Sequence, residues 1–408
     1  MTRIVLAGAG VAALRAAERL RELGFDGEVI LVGAEPEWPY HRPALAKQLL
    51  TGTRRPGDLA LASYGRLDVL WRRGTAVSAV DTGRRVLALP GGEELRYDGL
   101  IIATGAEARH LPGAPVHDPR VHVLRTVADA VSLQRTLGQD RGPVAIIGGG
   151  FTGCEIASSL RELDREVTIV SRGPVLLRDA VGAYLGRKIT ELHAAHGVRL
   201  ALGATVRRWI PARGGMALYL SNDKVLVAGT VVVAVGSAPA VGWLRGSGLS
   251  VAGGVRCGAT CHALGAADVV AAGDVAQWPN PRFDEIPRRV EHWLNAGEMG
   301  RAAAESLLAG AGARPFTPIP RFWSEQHGIR IQAAGMPSLG RDTVELLAGP
   351  SGGNRVVTGF VRDGSLIGVV GLNSPDEMLK WTAELARQRA WPPAPNVVAA
   401  HQVPGSRR

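Results

Sequence analysis

Residues 144–155 read VAIIGGGFTGCE, and residues 4–13 read IVLAGAGVAA. Each stretch is a short apolar strand pattern that runs into a glycine turn and then into apolar residues at helical spacing. A second apolar strand follows each copy, at Val167–Val170 and at Val29–Val32. One such motif is weak evidence, but two copies about 140 residues apart in the same strand–turn–helix context predict two dinucleotide sites.

Two βαβ units of this kind predict an α/β protein with two Rossmann-like dinucleotide-binding domains. Prolines at 315, 318 and 320 interrupt the pattern and predict a link to a C-terminal α+β module. We place the first domain at 1–110 and 240–318, the second at 111–239 and the module at 319–408. The tail from Trp391 is expected to be irregular. Helices are expected near 11–23, 154–163, 293–308 and 376–389, and further strands at 85–89, 96–103, 267–272, 329–333, 343–347, 355–361 and 366–371, the first two as a hairpin across Gly91-Gly92.

The composition is that of an ordinary globular protein, with 408 residues of which 46% are hydrophobic. No uncharged apolar run is long enough to cross a bilayer, and no basic segment precedes the first strand. We therefore expect a cytoplasmic protein that does not contact a membrane. The three cysteines, Cys154, Cys257 and Cys261, are too few for a disulfide framework and are expected to be small buried side chains. No metal site is expected.

The formal net charge of +10 suits an acidic partner. The arginines are spread along the chain, with no dense basic tract and no aromatic residues interleaved as in single-stranded nucleic-acid binders. This pattern favours an acidic protein over nucleic acid. A general richness in arginine that only solvates the surface is the alternative reading, and the oligomeric state is expected to be a monomer or a weak homodimer.

The first glycine turn has Gly8 for the tight turn, Gly10 for close approach of a diphosphate, and Ala13 for helix–strand packing. The amide groups and the positive end of the following helix would face the diphosphate. Glu35, shortly after the second strand, is the candidate for a ribose hydroxyl pair. A solvated loop carboxylate is its alternative reading.

Later motifs indicate which nucleotide the first glycine turn binds. They are YHRPALAK at 40–47, ATGA at 103–106 with Arg109, AGDV at 272–275, VEHW at 290–293 and FWSEQ at 322–326. Together they resemble the two-dinucleotide-binding flavoprotein reductases, with a fold like that of glutathione reductase. The likeness is greatest to the ferredoxin reductases of the putidaredoxin reductase and rubredoxin reductase type, which serve haem monooxygenases and aromatic-ring dioxygenases. It covers nearly the whole chain.

The resemblance implies an oxidoreductase in which hydride passes from NAD(P)H to FAD and electrons then pass singly to an iron–sulfur ferredoxin. Lys47 and Glu155 would pair beside the flavin and orient the nicotinamide, and Trp293 would lie near the rings. Ala46 stands where the family usually has serine, so a hydroxyl contact is absent there. The residues implied to bind FAD are Gly8, Gly10, Ala13, Glu35, Arg42, Lys47, Ala103, Thr104, Gly105, Arg109, Gly273, Asp274, Trp293 and Trp323.

The second glycine turn would then hold the nicotinamide cofactor. After its second strand come Ser171-Arg172, with Arg178 further on, where the family usually has an acid that binds a ribose hydroxyl. The absence of this acid and the presence of Arg172 and Arg178 favour NADPH over NADH. Surface charges with no role in binding are the alternative interpretation of the two arginines. The residues implied to bind this cofactor are Gly148, Gly150, Phe151, Thr152, Gly153, Glu155, Ser171, Arg172, Arg178 and Gly236.

Three other functions are weighed against ferredoxin reduction. A dithiol reductase needs a cysteine pair beside the flavin, and the sequence has none in a suitable motif. A flavin-containing binding protein similar to apoptosis-inducing factor would need a clustered basic surface. A small-molecule reductase similar to monodehydroascorbate reductase stays open on the sequence alone.

Overall fold

The computed structural model describes residues 1–61, 67–347, 355–387 and 391. The α-helices are α1 (Val11–Glu22), α2 (Val127–Gln139), α3 (Phe151–Glu162), α4 (Arg178–Ala195), α5 (Trp293–Ala309) and α6 (Pro375–Arg387). The strands are β1 (Arg3–Ala7), β2 (Glu28–Val32), β3 (Leu70–Arg72), β4 (Ala79–Asp81), β5 (Val86–Ala88), β6 (Glu94–Arg96), β7 (Gly99–Ile102), β8 (Ala106–Ala108), β9 (Val121–His122), β10 (Val144–Ile147), β11 (Val167–Ser171), β12 (Arg199–Leu202), β13 (Val206–Ala212), β14 (Gly215–Leu220), β15 (Val225–Ala228), β16 (Thr230–Val233), β17 (Ser237–Pro239), β18 (Val255–Arg256), β19 (Val269–Ala271), β20 (Ala276–Asn280), β21 (Asp284–Arg288), β22 (Arg321–Gln326), β23 (Ile329–Gly335), β24 (Asp342–Leu347), β25 (Val356–Arg362) and β26 (Ser365–Leu372).

The chain divides into two compact units, each assembled from three segments. The first unit contains Met1–His41, Gly57–Glu107 and Ser237–Pro320. The second contains Arg42–Pro56, Ala108–Gly236 and Arg321–Arg408. The second dinucleotide-binding domain and the C-terminal module expected from the sequence thus fall in one unit, and the finer division into domains stays a prediction.

The first unit is built around a parallel sheet with strand order β19-β7-β1-β2-β3. Strand β1 and helix α1 are joined by the first glycine turn, and the residues of β1 from Ile4 to Ala7 are fully buried. Helix α5 packs on α1, where Gly300 lies so close to Ala12 that a Cβ would stand 2.2 Å from the Ala12 carbonyl oxygen. The strand order changes direction between β1 and β7, which is where ligands bind in sheets of this kind.

The second unit repeats this plan and adds a different sheet. Its parallel sheet has the order β12-β11-β10-β16-β9, with the second glycine turn between β10 and α3. The C-terminal module is an antiparallel sheet, β22-β23-β26-β25-β24, against which α6 packs Met378, Trp381 and Leu385. These sheets confirm the predicted α/β class with a C-terminal α+β module. Among the described residues, no helix combines the length and the apolar character needed to cross a bilayer.

Two element predictions were wrong in detail. Helix α3 begins at Phe151 rather than near 154, because Gly150 is the extended cap and Gly153 is already helical. The stretch 96–103 is two strands, since β6 pairs with β5 in a hairpin while β7 pairs with β1. Strand β22 was not predicted. Helix α6 is described as far as Arg387, and the predicted tail lies outside the described residues except for Trp391.

Asp98, between β6 and β7, fixes the first residues of the chain. Its Oδ2 atom accepts hydrogen bonds from the Thr2 hydroxyl (2.7 Å), the Thr2 amide (2.6 Å) and the Arg3 amide (2.9 Å). These donors, the hydroxyl foremost, stabilise the charged form and lower the pKa of Asp98 to about 2. The start of β1 is therefore held by an ionised carboxylate.

We expect Asp98→Asn to lower the free energy of unfolding by about 1 kcal/mol at neutral pH, a value reduced for solvent screening. Because the folded-state pKa lies below the unfolded value, this stability is present above about pH 4 and is lost as the pH falls toward 2. Urea unfolding at several pH values measures it. Asp223→Asn, in an exposed turn, is the control, and an equal pH dependence in both variants would contradict the assignment.

Candidate functional site

The first glycine turn is shaped by a carbonyl oxygen. Gly8 has φ +120°, and a Cβ there would stand 2.2 Å from the carbonyl oxygen of Ala103, at the end of β7. Gly10 caps α1 with extended backbone and has nothing within 4 Å of the place of a Cβ. Ala13 is fully buried. The first turn of α1 thus has free amide groups and open space at Gly10, which fits a diphosphate.

Glu35 follows β2 at the same edge of this sheet. It is half-buried, and its Oε2 atom accepts a hydrogen bond of 2.7 Å from the Tyr40 hydroxyl. Gly33 makes room for the turn, because a Cβ there would stand 2.5 Å from the Cβ of Ala9. The carboxylate is therefore held in place rather than solvated in a mobile loop, and its role on a ribose stays a prediction.

Five more predicted residues belong to the first unit. Gly273, with φ +77°, lies against Ala12. Asp274 follows it in a short turn, and the Asp274 carbonyl oxygen accepts a hydrogen bond from Arg289 (3.0 Å). Trp293 is the first residue of α5, and its ring meets the His41 ring edge-on at 5.2 Å. Thr104, at the exit of β7, donates its hydroxyl to the Ala240 carbonyl (2.9 Å), and Gly105 follows with φ +70°.

The remaining predicted FAD residues belong to the second unit. Arg42 donates from Nη1 to the Arg125 carbonyl (2.5 Å). The Arg109 amide donates to the carbonyl of Gly236 (3.0 Å), which has φ +100°. Trp323 is half-buried on β22. Their contacts with FAD stay predictions.

The second glycine turn repeats the geometry of the first. Gly148 has φ +124°, and its Cβ would stand 2.1 Å from the carbonyl oxygen of Ala234, just beyond β16. A Cβ on Gly153 would stand 2.1 Å from the Gly148 carbonyl oxygen, whereas Gly150 has nothing within 4 Å. Sequence reasoning missed Ala234, although it stands relative to β16 as Ala103 does to β7.

The predicted residues that follow strand β11, near this turn, are polar or cationic rather than acidic. Ser171 is buried at the end of β11, next to Gly149. Arg172 and Arg178 are exposed, and neither makes an ion pair with any residue that the structure describes. Phe151 and Thr152 form the first turn of α3, with the Phe151 ring edge-on to Phe322 at 4.9 Å.

Lys47 and Glu155 form the expected ion pair. Lys47 Nζ lies 3.0 Å from Glu155 Oε1, and the two side chains are only 14% and 13% exposed. Lys47 lies on a single π-helical turn, Leu45–Leu49, which is fastened to α3 because the Ala46 carbonyl accepts from the Ser159 hydroxyl (2.7 Å). Position 46 is buried. Each charge would be costly alone at this depth, so the pairing is what permits both.

Ser324 is the residue of this cluster that sequence reasoning missed. Its hydroxyl donates to Glu155 Oε1 at 2.6 Å from strand β22. Burial raises the pKa of Glu155, while the Lys47 charge and the Ser324 hydrogen bond oppose that rise. Ser324 lies in the motif FWSEQ, so the motif was a signal for it. Its partner was not evident because 169 residues separate the two.

All three cysteines are free and buried, as expected. Burial raises the pKa of each thiol, to about 12 for Cys257. Thiols of this kind are poor nucleophiles. They do not provide a redox dithiol.

Residues 2–300 match the model of the family described as pyridine nucleotide-disulphide oxidoreductase, and residues 321–404 match that described as reductase C-terminal. The chain belongs to the pyridine nucleotide-disulphide oxidoreductases. The family resemblance and the assignment as an oxidoreductase are confirmed, and membership implies FAD and a nicotinamide cofactor.

This oxidoreductase has similar relatives along most of its length. It is 34% identical over 372 residues to the anthranilate 1,2-dioxygenase system ferredoxin–NAD(+) reductase component of Burkholderia cepacia, covering 90% of each chain. It is also 34% identical to terpredoxin reductase of a Pseudomonas species, over 92% of this chain and 90% of the relative. Among solved structures it is similar to the ferredoxin reductase for the CYP199A2 system of Rhodopseudomonas palustris, with TM-score 0.89, 26% identity and 96% of each chain covered.

Gly150→Ala and Gly153→Ala separate binding from folding in this oxidoreductase. We expect Gly150→Ala to lower the free energy of unfolding by no more than about 1 kcal/mol, because the new Cβ meets nothing and only the N-cap preference for glycine is lost, yet to weaken nicotinamide-nucleotide binding about tenfold or more. Gly153→Ala should instead cost about 2 kcal/mol through its clash with Gly148. Denaturant unfolding and nucleotide titration measure the two effects. Unchanged nucleotide binding in the folded Gly150→Ala protein would show that the second glycine turn is not part of the nucleotide site.

Proposed function

We propose that this chain is an FAD-dependent ferredoxin reductase that receives hydride from NAD(P)H and supplies single electrons to an iron–sulfur ferredoxin of an oxygenase system. The observation that carries the proposal is the buried Lys47–Glu155 pair beside the second glycine turn, in a chain whose three cysteines are buried and free. Relatives that match this chain over about nine-tenths of its length bear the names of ferredoxin–NAD(+) reductase components. FAD, when bound, accepts an electron pair and releases the electrons one at a time.

The protein residues would bind and orient rather than donate or remove protons. Lys47 and Glu155 would hold the nicotinamide ring through fixed charges that are screened little at this depth. Gly8, Gly10 and Asp274 would hold FAD through amide groups and a carboxylate. The remaining FAD contacts are assigned to Glu35, Arg42, Ala103, Thr104, Gly105, Arg109, Gly273, Trp293 and Trp323, and those of the nicotinamide cofactor to Gly148, Gly150, Phe151, Thr152, Gly153, Ser171, Arg172, Arg178 and Gly236.

The charge supports an acidic protein as the electron acceptor. The net charge is +10, and ferredoxins of acidic character would be attracted at low ionic strength. The putidaredoxin reductase structure to which this chain is similar, with TM-score 0.88 and 25% identity over 95% of this chain and 93% of that one, is a covalent complex with putidaredoxin. A protein acceptor thus agrees with both observations.

An anaerobic reduction assay tests the function. We expect the FAD-loaded protein to be reduced by a nicotinamide cofactor within milliseconds to seconds and to reduce an acidic ferredoxin with saturable kinetics. The apparent second-order rate constant should fall steeply between 50 and 300 mM salt, on the order of tenfold, because surface charges are screened. Lys47→Ala should retain FAD but slow its reduction. Slow turnover that is indifferent to ferredoxin, with retention on DNA, would favour the binding-protein alternative.

NADPH is the donor that the local charge favours. The strand that ends at buried Ser171 has no acid after it, and Arg172 and Arg178 are exposed near the start of α4. A 2′-phosphate would gain charge-assisted hydrogen bonds from guanidinium groups, and no carboxylate would repel it. Several relatives are named ferredoxin–NAD(+) reductase components, so a preference for NADPH would be a departure from them.

We expect the double variant Arg172→Ala/Arg178→Ala to weaken the use of NADPH by roughly tenfold or more in kcat/KM, with NADH nearly unchanged. Parallel stopped-flow reduction with the two nucleotides gives the ratio. Arg187→Ala, an exposed position on the same helix, is the matched control. If the ratio is the same in wild type, double variant and control, the arginines take no part in donor choice.

A further inference from the structure

Three histidines gather in the second unit, and none of them is a predicted site residue. His193 on α4 is fully buried, and its Nδ1 lies 3.0 Å from Nε2 of His327, in the turn after β22. The ring of exposed His196 stacks on His327 at 4.2 Å between ring centroids. A fully buried histidine on a surface helix requires partners for both ring nitrogens.

The second partner of His193 begins a continuous chain of hydrogen bonds. His193 Nε2 lies 3.0 Å from Gln326 Oε1. Gln326 Nε2 donates to Ser324 Oγ at 3.0 Å, and Ser324 Oγ donates to Glu155 Oε1 at 2.6 Å. The chain thus runs from His327 to the carboxylate that pairs with Lys47. Gln326 and Ser324 are each only 1% exposed, so water has little access to their hydrogen bonds.

The direction of these bonds is set from both ends. An ionised Glu155 only accepts, so the Ser324 hydroxyl must donate to it and must accept from the amide of Gln326. The Gln326 carbonyl then faces His193, whose Nε2 must carry a proton, which leaves Nδ1 to accept from His327. With the opposite tautomer of His193, Gln326 would turn its carbonyl toward Ser324. The Ser324 hydroxyl would then be drawn away from Glu155.

We propose that His193 is a positioning residue for Glu155, which it acts on through Gln326 and Ser324 by keeping the Ser324 hydroxyl proton directed at the carboxylate. The inference rests on the proposed function, in which Glu155 orients the nicotinamide. It adds a residue 38 positions from Glu155 in sequence, on a different helix, that touches neither charge of the pair.

The charged groups around the chain are consistent with this role. Glu155 faces Lys47 from the π-helical turn, and Glu325 on β22 raises its pKa further. Around the imidazoles stand His196, which follows α4, and Arg161 of α3, and both oppose a further positive charge. Burial lowers the pKa of His193, and burial with these neighbours lowers that of His327 to about 3. Burial and these neighbours thus disfavour a second proton on either ring, which leaves His193 able to donate at Nε2 and accept at Nδ1.

Two substitutions at position 193 distinguish the hydrogen-bond donor at Nε2 from the rest of the imidazole ring. In His193→Gln the side-chain amide nitrogen takes the place of Nε2 and still donates to Gln326, whereas the shorter side chain in His193→Asn reaches His327 but not Gln326. We expect His193→Asn to remove the hydrogen bond on Glu155 and to raise the midpoint of its titration by about one pH unit. His193→Gln should keep the wild-type midpoint. Ser324→Ala, which removes the hydroxyl that donates to Glu155, should raise the midpoint as His193→Asn does.

The titration is measured in the FAD-loaded protein by carbon-13 NMR of labelled glutamate carboxyls, with the Glu155 signal assigned by its loss in Glu155→Gln. In parallel, the acid limb of the flavin-reduction rate should move by the same amount. His196→Gln is the surface control. An unchanged midpoint in His193→Asn or in Ser324→Ala, or an equal shift in His193→Gln and His193→Asn, would overturn the inference. A wild type that does not reduce ferredoxin would overturn the proposed function alone, since the NMR midpoints are independent of it.

Discussion

Both glycine turns depend on a carbonyl oxygen that occupies the place of a missing side chain. The oxygen belongs to Ala103 at the first turn and to Ala234 at the second, and each lies little more than 2 Å from where a Cβ of Gly8 or Gly148 would stand. Any other residue would push apart the two strands at which the sheet order reverses. Because that contact closes the turn, the next open glycine, Gly10 or Gly150, is left facing empty space at a helix N-terminus.

The Lys47–Glu155 pair imposes a second constraint, since two charges at this depth must be satisfied by the protein. A π-helical turn brings Lys47 to α3, and strand β22 brings the hydroxyl of Ser324. The C-terminal module, which matches a family model of its own, therefore supplies part of the electrostatic environment of Glu155. Continuation of the same chain to Gln326 and His193 extends that environment to α4.

Sequence reasoning succeeded where structure depends on neighbours along the chain. Both βαβ units, helix α5 and most strands of the C-terminal module were predicted close to their observed bounds. Sequence reasoning failed where the pairing strand lay far away in the sequence. Residues 96–103 were predicted as one strand, yet β6 pairs with β5 and β7 with β1, and Asp98 between them holds Thr2. An apolar pattern records burial but not which strand provides it.

The sequence by itself determined the two glycine turns, the family and the absence of a dithiol, because a glycine's backbone freedom and a thiol's chemistry are properties of single residues. It also predicted the Lys47–Glu155 pair, through resemblance. Only the tertiary structure decided that Ser324, Gln326 and His193 join this pair, which residues are buried, and which way the hydrogen bonds run. The physical reason is that desolvation and hydrogen-bond direction depend on groups more than a hundred residues apart in the chain, and the fold alone brings these groups within 3 Å.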